Sequence, residues 1–164
     1  MSIDLLSFQR EQYAHDKRNH PDILSLSKND RLKHYGLHFA KYVGRLARGS
    51  DEVKSVERTV VDACLVSLSA ANTLHQKLNE SKAHLRKHKR QIDPVYGFAD
   101  AAGRFADACE KIDHMEEFVP LARDANADVM KWILTTVSER RINLEAAIRE
   151  RRKELAERQF YIAD

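Results

Sequence analysis

The apolar positions along the chain predict a series of helices. In one segment Leu32, Tyr35 and Phe39 recur every three or four residues, the spacing of one face of a helix. The chain has only five Gly and three Pro residues among 164, a composition that favours long helices over strands. We therefore predict an all-α bundle of about five to six helices, with residues 1–164 forming a single domain.

Local signals predict where these helices begin and end. The first covers about residues 2–17, and His20-Pro21 closes it before a loop. The second begins behind Ser27 or Asn29 and ends at Gly49. Later helices are predicted from Ser50-Asp51-Glu52 to about residue 79, over 97–118, from Pro120 to the RRIN sequence at 140–143, and over 144–160 behind an Asn143 cap.

Charge and hydropathy restrict the possible partners. The net charge is only +3, from 28 basic and 25 acidic residues, an excess too small to predict nucleic acid as a partner. One segment, SKAHLRKHKRQI at 81–92, is basic without any acid, and we interpret it as a solvated connector or as a patch for phosphate or RNA. No apolar run is long enough for a membrane span, and Cys64 and Cys109 have core-like surroundings. We expect a cytoplasmic protein without membrane contact.

Asp62 is the most conspicuous candidate for a functional residue. It is the only charged residue of TVVDACLVSLSAA at 59–71, the segment we interpret as the central helix of the bundle. An ionised carboxylate in such surroundings costs several kcal/mol unless a cation or a metal ion lies beside it. Two interpretations stay open: a structural ion pair with Arg58, Lys41 or Arg45, and a metal or phosphate site.

A second candidate is an acidic surface on the fourth predicted helix. Glu110, Asp113 and Glu117 have the spacing of residues that share a helix face, and Mg²⁺ prefers oxygen ligands of this kind. The alternative is an ordinary solvated face. The pairs His34/His38 and His84/His88, four residues apart, could also place two imidazoles on one ion, but neither forms a known metal motif.

Three segments resemble the all-α nucleoside triphosphate pyrophosphohydrolases of MazG type. FAKYVGRLA at 39–47 matches the first metal-binding motif of that family through Gly44 and Leu46, and TVVDACLVSL at 59–68 matches the second through Asp62. INLEAAIRERRKELAER at 142–158 is similar to the closing helix. The resemblance implies a helical fold, usually assembled as a homo-oligomer, with Mg²⁺ held by four acids for cleavage between the α and β phosphates. It also implies Lys153 and Arg158 as phosphate-binding residues.

The metal motifs of this chain are degenerate. Lys41, Tyr42, Arg45 and Thr59 stand at the positions that the resemblance implies to be acidic, so Asp62 is the only one of the four usual ligands left. We expect Lys41 and Arg45 to occupy the volume of the lost ion and neutralise Asp62, where they could also bind substrate. Alternatively, Glu110, Asp113 and Glu117 form a relocated Mg²⁺ site that faces the last helix.

Two functions follow as expectations. The first is a protein related to nucleotide pyrophosphohydrolases that acts on or binds nucleoside triphosphates, with its usual Mg²⁺ site largely lost. The second is a non-catalytic helical interaction protein or oligomeric scaffold, whose apolar stripes are buried against a second copy.

Overall fold

The chain folds as a helical bundle. A computed structural model describes residues 4–80 and 93–158; the basic segment 81–92 with its His84/His88 pair and both chain ends lie outside the described residues. Within these two ranges the chain has no β-strand, which confirms the all-α prediction. The helices are α1 (Leu5–Asn19), α2 (Pro21–Ser25), α3 (Lys28–Arg48), α4 (Val56–Thr73), α5 (Pro94–Asp113), α6 (Val119–Glu139) and α7 (Leu144–Glu157).

Several helix ends follow the sequence signals. The Ser27 hydroxyl accepts a hydrogen bond from the Asp30 amide at 3.1 Å and caps α3, which ends at Gly49 with a positive φ of 55°. The side chain of Asn143 likewise accepts from the Ala146 amide at 3.2 Å and caps α7. These boundaries of α3 and α7 confirm the predictions.

Other boundaries were predicted wrongly. The loop expected after Pro21 contains the short helix α2, because proline suits the first position of a helix. Helix α4 starts at Val56 rather than near Ser50, since Ser55 provides the cap and Gly49–Asp51 forms a 3-10 turn. It also ends at Thr73 rather than near 79, because His75 takes a left-handed conformation with φ of 50°.

Helix α4 is the centre of the bundle, as predicted. It contacts α1, α3, α6 and α7. Of residues 59–71, all but Val66 are buried, and Asp62 is only 5% exposed. Because α4 is surrounded in this way, a charge on it must find its partners inside the protein.

Aromatic rings close the core on the other side of α3. Phe39 of α3 meets Phe105 and Phe98 of α5 edge to face, with ring centroids 5.1 and 6.3 Å apart. All three rings are fully buried, and each such burial stabilises the fold by about 1.5–3 kcal/mol. Cys64 and Cys109 are free, buried core residues, as expected. Among the described helices, none is both long and apolar enough to cross a bilayer.

Candidate functional site

Asp62 is bound by two arginines inside the bundle. Arg45 of α3 donates from Nη1 to Oδ2 of Asp62 at 2.8 Å, and Arg151 of α7 donates from Nε to Oδ1 at 2.6 Å. Arg58, one turn earlier on α4, places its Nε 3.8 Å from Oδ1. Both oxygens of the carboxylate therefore have guanidinium donors, which are among the strongest hydrogen-bond donors in proteins.

The two arginines point inward because they lie on the buried stripes of their helices. Arg45 follows the buried Tyr42 by three residues, and Arg151 follows the buried Ile148 by three. Their side chains are only 8% and 11% exposed. The prediction that Arg45 neutralises Asp62 is confirmed, whereas Arg151 was missed. Its position on the stripe of α7 was the signal that could have identified it.

Glu154 extends this ion pair into a network. It accepts from Arg151 Nη1 at 3.0 Å and also pairs with Arg58. These hydrogen bonds, with the Arg58 contact the larger, hold the pKa of Glu154 below its usual range. The network thus contains three arginines and two carboxylates, and it joins α3, α4 and α7 through charge.

Lys41 does not join this network, contrary to the expectation that it pairs with Asp62. Its Nζ lies 3.0 Å from Nδ1 of His38 and 5.1 Å from the centroid of the Tyr42 ring. Among the described residues, none of the carboxylates lies within ion-pair distance of Lys41. Desolvation, followed by the charge of Arg45, lowers the pKa of Lys41. Among the described residues, Lys41 is therefore a cation without a direct ion pair.

A cavity of about 190 Å³ opens beside the network. Lys41, Arg45, Arg151 and Asp62 line one end of it. Asp62 and Ser69, both in its wall, are seven residues apart on α4, which corresponds to about 10 Å along a helix axis. Apolar side chains from three helices, α2, α4 and α7, also line it: Ile23, Leu24, Leu65, Val66 and Leu155.

The opposite end of the cavity contains a second buried carboxyl group, Asp16 of α1. Gln12 donates from Nε2 to its Oδ1 at 2.8 Å, and Ser69 donates from Oγ to its Oδ2 at 2.6 Å. Burial raises the pKa of Asp16. Sequence analysis missed Asp16 and Gln12, although their spacing with the buried Gln9 places three polar residues on the core-facing stripe of α1.

His34 and His38 line the cavity beside Lys41. Their Nε2 atoms lie 3.0 Å apart. Burial, followed by the Lys41 charge, lowers the pKa of His38 to about 4, so its ring is neutral at pH 7. In the part of the chain that the structure describes, no three His, Cys, Asp or Glu side chains are grouped closely enough to hold a metal ion.

The predicted acidic face of α5 is divided by the end of the helix. α5 ends at Asp113, so Glu117 lies beyond it and does not continue the face of Glu110. Met115 adopts a positive φ of 55°, which turns the chain away. Asp113 pairs with Lys33, and Glu110 lies 4.0 Å from His114. The spacing argument for a shared face was therefore wrong, and these residues do not fit a Mg²⁺ site.

Mg²⁺ does not fit at Asp62 either. Its two oxygens already accept from Arg45 and Arg151, and a divalent cation placed there would face two guanidinium charges at short range. The residues predicted to bind phosphate also do not lie together at one site. Lys41 and Arg45 line the cavity, Lys153 lines a different groove, and Arg158 follows the end of α7.

Comparisons with known proteins add no family to this description. Family models, curated proteins and solved structures all gave no match. The resemblance to MazG-type proteins therefore depends on the motifs alone.

Proposed function

We propose that this chain is a MazG-like helical protein that binds the phosphate end of a nucleotide in the cavity and does not hydrolyse it through a Mg²⁺ ion at Asp62. The observation that carries the proposal is the double pairing of Asp62 with Arg45 and Arg151. The negative charge of Asp62, which would attract a divalent ion, is neutralised by these two arginine side chains.

The charge of the cavity favours an anion. Lys41, Arg45 and Arg151 line it together with the carboxyl groups of Asp16 and Asp62, which gives +1 with both acids ionised. Because the two arginines are engaged with Asp62, Lys41 is the cation most available to an incoming phosphate. A phosphate oxygen beside Lys41 would form a charge-assisted hydrogen bond of about 1.5–3 kcal/mol.

The size of the cavity indicates how much of a nucleotide it encloses. A volume of about 190 Å³ corresponds to roughly six water molecules, below the ~300–1,000 Å³ typical of sites that bury a whole drug-sized ligand. A terminal phosphate and a short organic portion fit inside. The rest of a nucleoside triphosphate would extend past Lys41 to the surface.

Calorimetric titration with each of the four common nucleoside triphosphates in EDTA tests the proposal. We expect saturable binding of at least one nucleotide without metal, weakened about tenfold by Lys41→Ala, which is ~1.4 kcal/mol. Lys28→Ala is the matched control, since Lys28 lies on the same helix outside the cavity lining. Its affinity should equal that of the unmodified protein.

Two outcomes would overturn the proposal. One is the absence of binding for every nucleotide tested in EDTA. The other is magnesium-dependent release of pyrophosphate that Asp62→Asn abolishes, because Asp62 would then be a metal ligand. Assembly into a homo-oligomer, which the resemblance implies, stays a prediction for light scattering to test.

A further inference from the structure

A groove of about 490 Å³ lies between α1 and α7, separate from the cavity. Three basic side chains line it, Arg18 of α1 and Arg152 and Lys153 of α7, together with one carboxylate, Glu11. The ionised side chains of the lining therefore sum to +2. A surface of this charge favours a dianion.

The cations of the groove differ in how firmly they are held. Arg152 pairs with Glu11 at 2.9 Å and also donates to Gln12 Oε1 at 3.0 Å, so its guanidinium has a fixed orientation. Arg18 and Lys153 have no carboxylate within ion-pair distance among the described residues. Their charges are therefore available to a ligand.

His15 supplies the observation that points to a ligand. It lines the groove and is only 5% exposed. Asn19 donates from Nδ2 to its Nδ1 at 2.9 Å, which places the proton of the neutral ring on Nε2. Nε2 has no hydrogen-bond partner among the described residues, and a buried donor left in this state is rare in folded proteins.

His15 stays neutral at physiological pH. Burial is the largest cause, followed by the charges of His20, Arg152 and Arg18, and together they lower the pKa of His15 to about 4. A neutral imidazole N–H in a groove that also contains two cations without a carboxylate partner among the described residues matches the oxygens of a phosphate group. Nε2 itself has almost no exposed surface, so it can donate to one oxygen once the side chains around it shift, while the cations neutralise the others.

We propose that the groove between α1 and α7 is a binding site for a phosphate monoester or inorganic phosphate, with His15 Nε2 as hydrogen-bond donor and Arg18 and Lys153 as counter-charges. The site involves neither Lys41 nor Asp62, so it stands independently of nucleotide binding in the cavity.

Titration with inorganic phosphate, followed by long-range ¹H–¹⁵N NMR of the histidine rings, tests the site. We expect a saturable shift of the Nε2 resonance of His15, assigned by its absence in His15→Gln. Arg18→Ala/Lys153→Ala should weaken the apparent affinity about tenfold or more. Both substituted side chains are exposed, so the fold should survive. Glycerol 3-phosphate in place of phosphate shows whether an ester group adds affinity, and a saturable shift of the His15 Nε2 resonance with either ligand supports the site.

The control variant is Arg10→Ala/Arg149→Ala. It removes the same charge from the same two helices, but neither residue lines the groove. Unchanged phosphate affinity in this variant would show that binding does not depend on general surface charge. Unchanged phosphate affinity in Lys41→Ala would show that the phosphate is not bound in the cavity. No shift of His15 with either ligand, or equal weakening in the control, would refute the proposal.

Discussion

Replacing Asp62 by alanine removes the acceptor shared by the buried Arg45 and the largely covered Arg151. Arg45 and Arg151 are 8% and 11% exposed, so water cannot fully replace the lost carboxylate. Arg151 keeps its contact with Glu154, whereas Arg45 has no other ion pair among the described residues. The variant therefore leaves an unbalanced positive charge against the central helix α4.

The expected cost is large for a single substitution. Breaking a buried ion pair by removing one partner destabilises proteins by about 3–5 kcal/mol. For a domain of this size each kcal/mol lowers the melting temperature by roughly 2–4 °C, so Asp62→Ala should melt about 6–20 °C lower. Asp62→Asn keeps one acceptor oxygen, and its melting temperature should lie between those of Asp62→Ala and the unmodified protein.

Thermal unfolding followed by circular dichroism in EDTA measures these shifts. A second variant, Asp62→Leu/Arg45→Met, replaces the pair by apolar side chains and should recover a large part of the lost stability, because the charge that lacked a partner is gone. A shift below ~1 °C for Asp62→Ala, or no recovery in the double variant, would refute the assignment of a structural ion pair.

The remaining predictions concern titration. Unfolded histidine binds protons near pH 6.5, whereas folded His15 and His38 do so only near pH 4. The free energy of unfolding therefore decreases as the pH falls from about 6.5 to 4, by up to ~1.4 kcal/mol per pH unit for each ring. Urea unfolding of His15→Gln and His38→Gln should show a flatter pH dependence of this free energy, and an unchanged slope would contradict the prediction. Burial raises the pKa of the Cys64 thiol to about 12 and that of Cys109 to about 11. Iodoacetamide at pH 8 should therefore label both thiols only after denaturation, and mass spectrometry would detect the labels. Rapid labelling of the folded protein would contradict that burial.

The helix ends that carry a local chemical signal could be predicted from the sequence. Ser27, Gly49 and Asn143 each act within one turn of the backbone, through a cap or a positive φ. The ends of α4 and α5 have no such signal, because His75 and Met115 take the left-handed conformation that usually marks glycine. Local sequence could not reveal those stops.

The candidate site was predictable only in part, for a related reason. The burial of Asp62 and its pairing with Arg45 follow from the apolar patterns of two consecutive helices. The contact with Arg151 joins residues 89 positions apart, and a pattern shows which face of α7 is inward but not which helix it meets. Lys41 was expected to point inward, but it lies over the Tyr42 ring at the cavity rim.

Gln12 connects the groove and the cavity through its side-chain hydrogen bonds. Its Oε1 accepts from Arg152 in the groove, and its Nε2 donates to Asp16 in the cavity. The two ends of this amide thus link Arg152, which lines the groove, to Asp16, which lines the cavity. An anion that drew Arg152 outward would free one end of that amide and loosen its hold on the acid behind it.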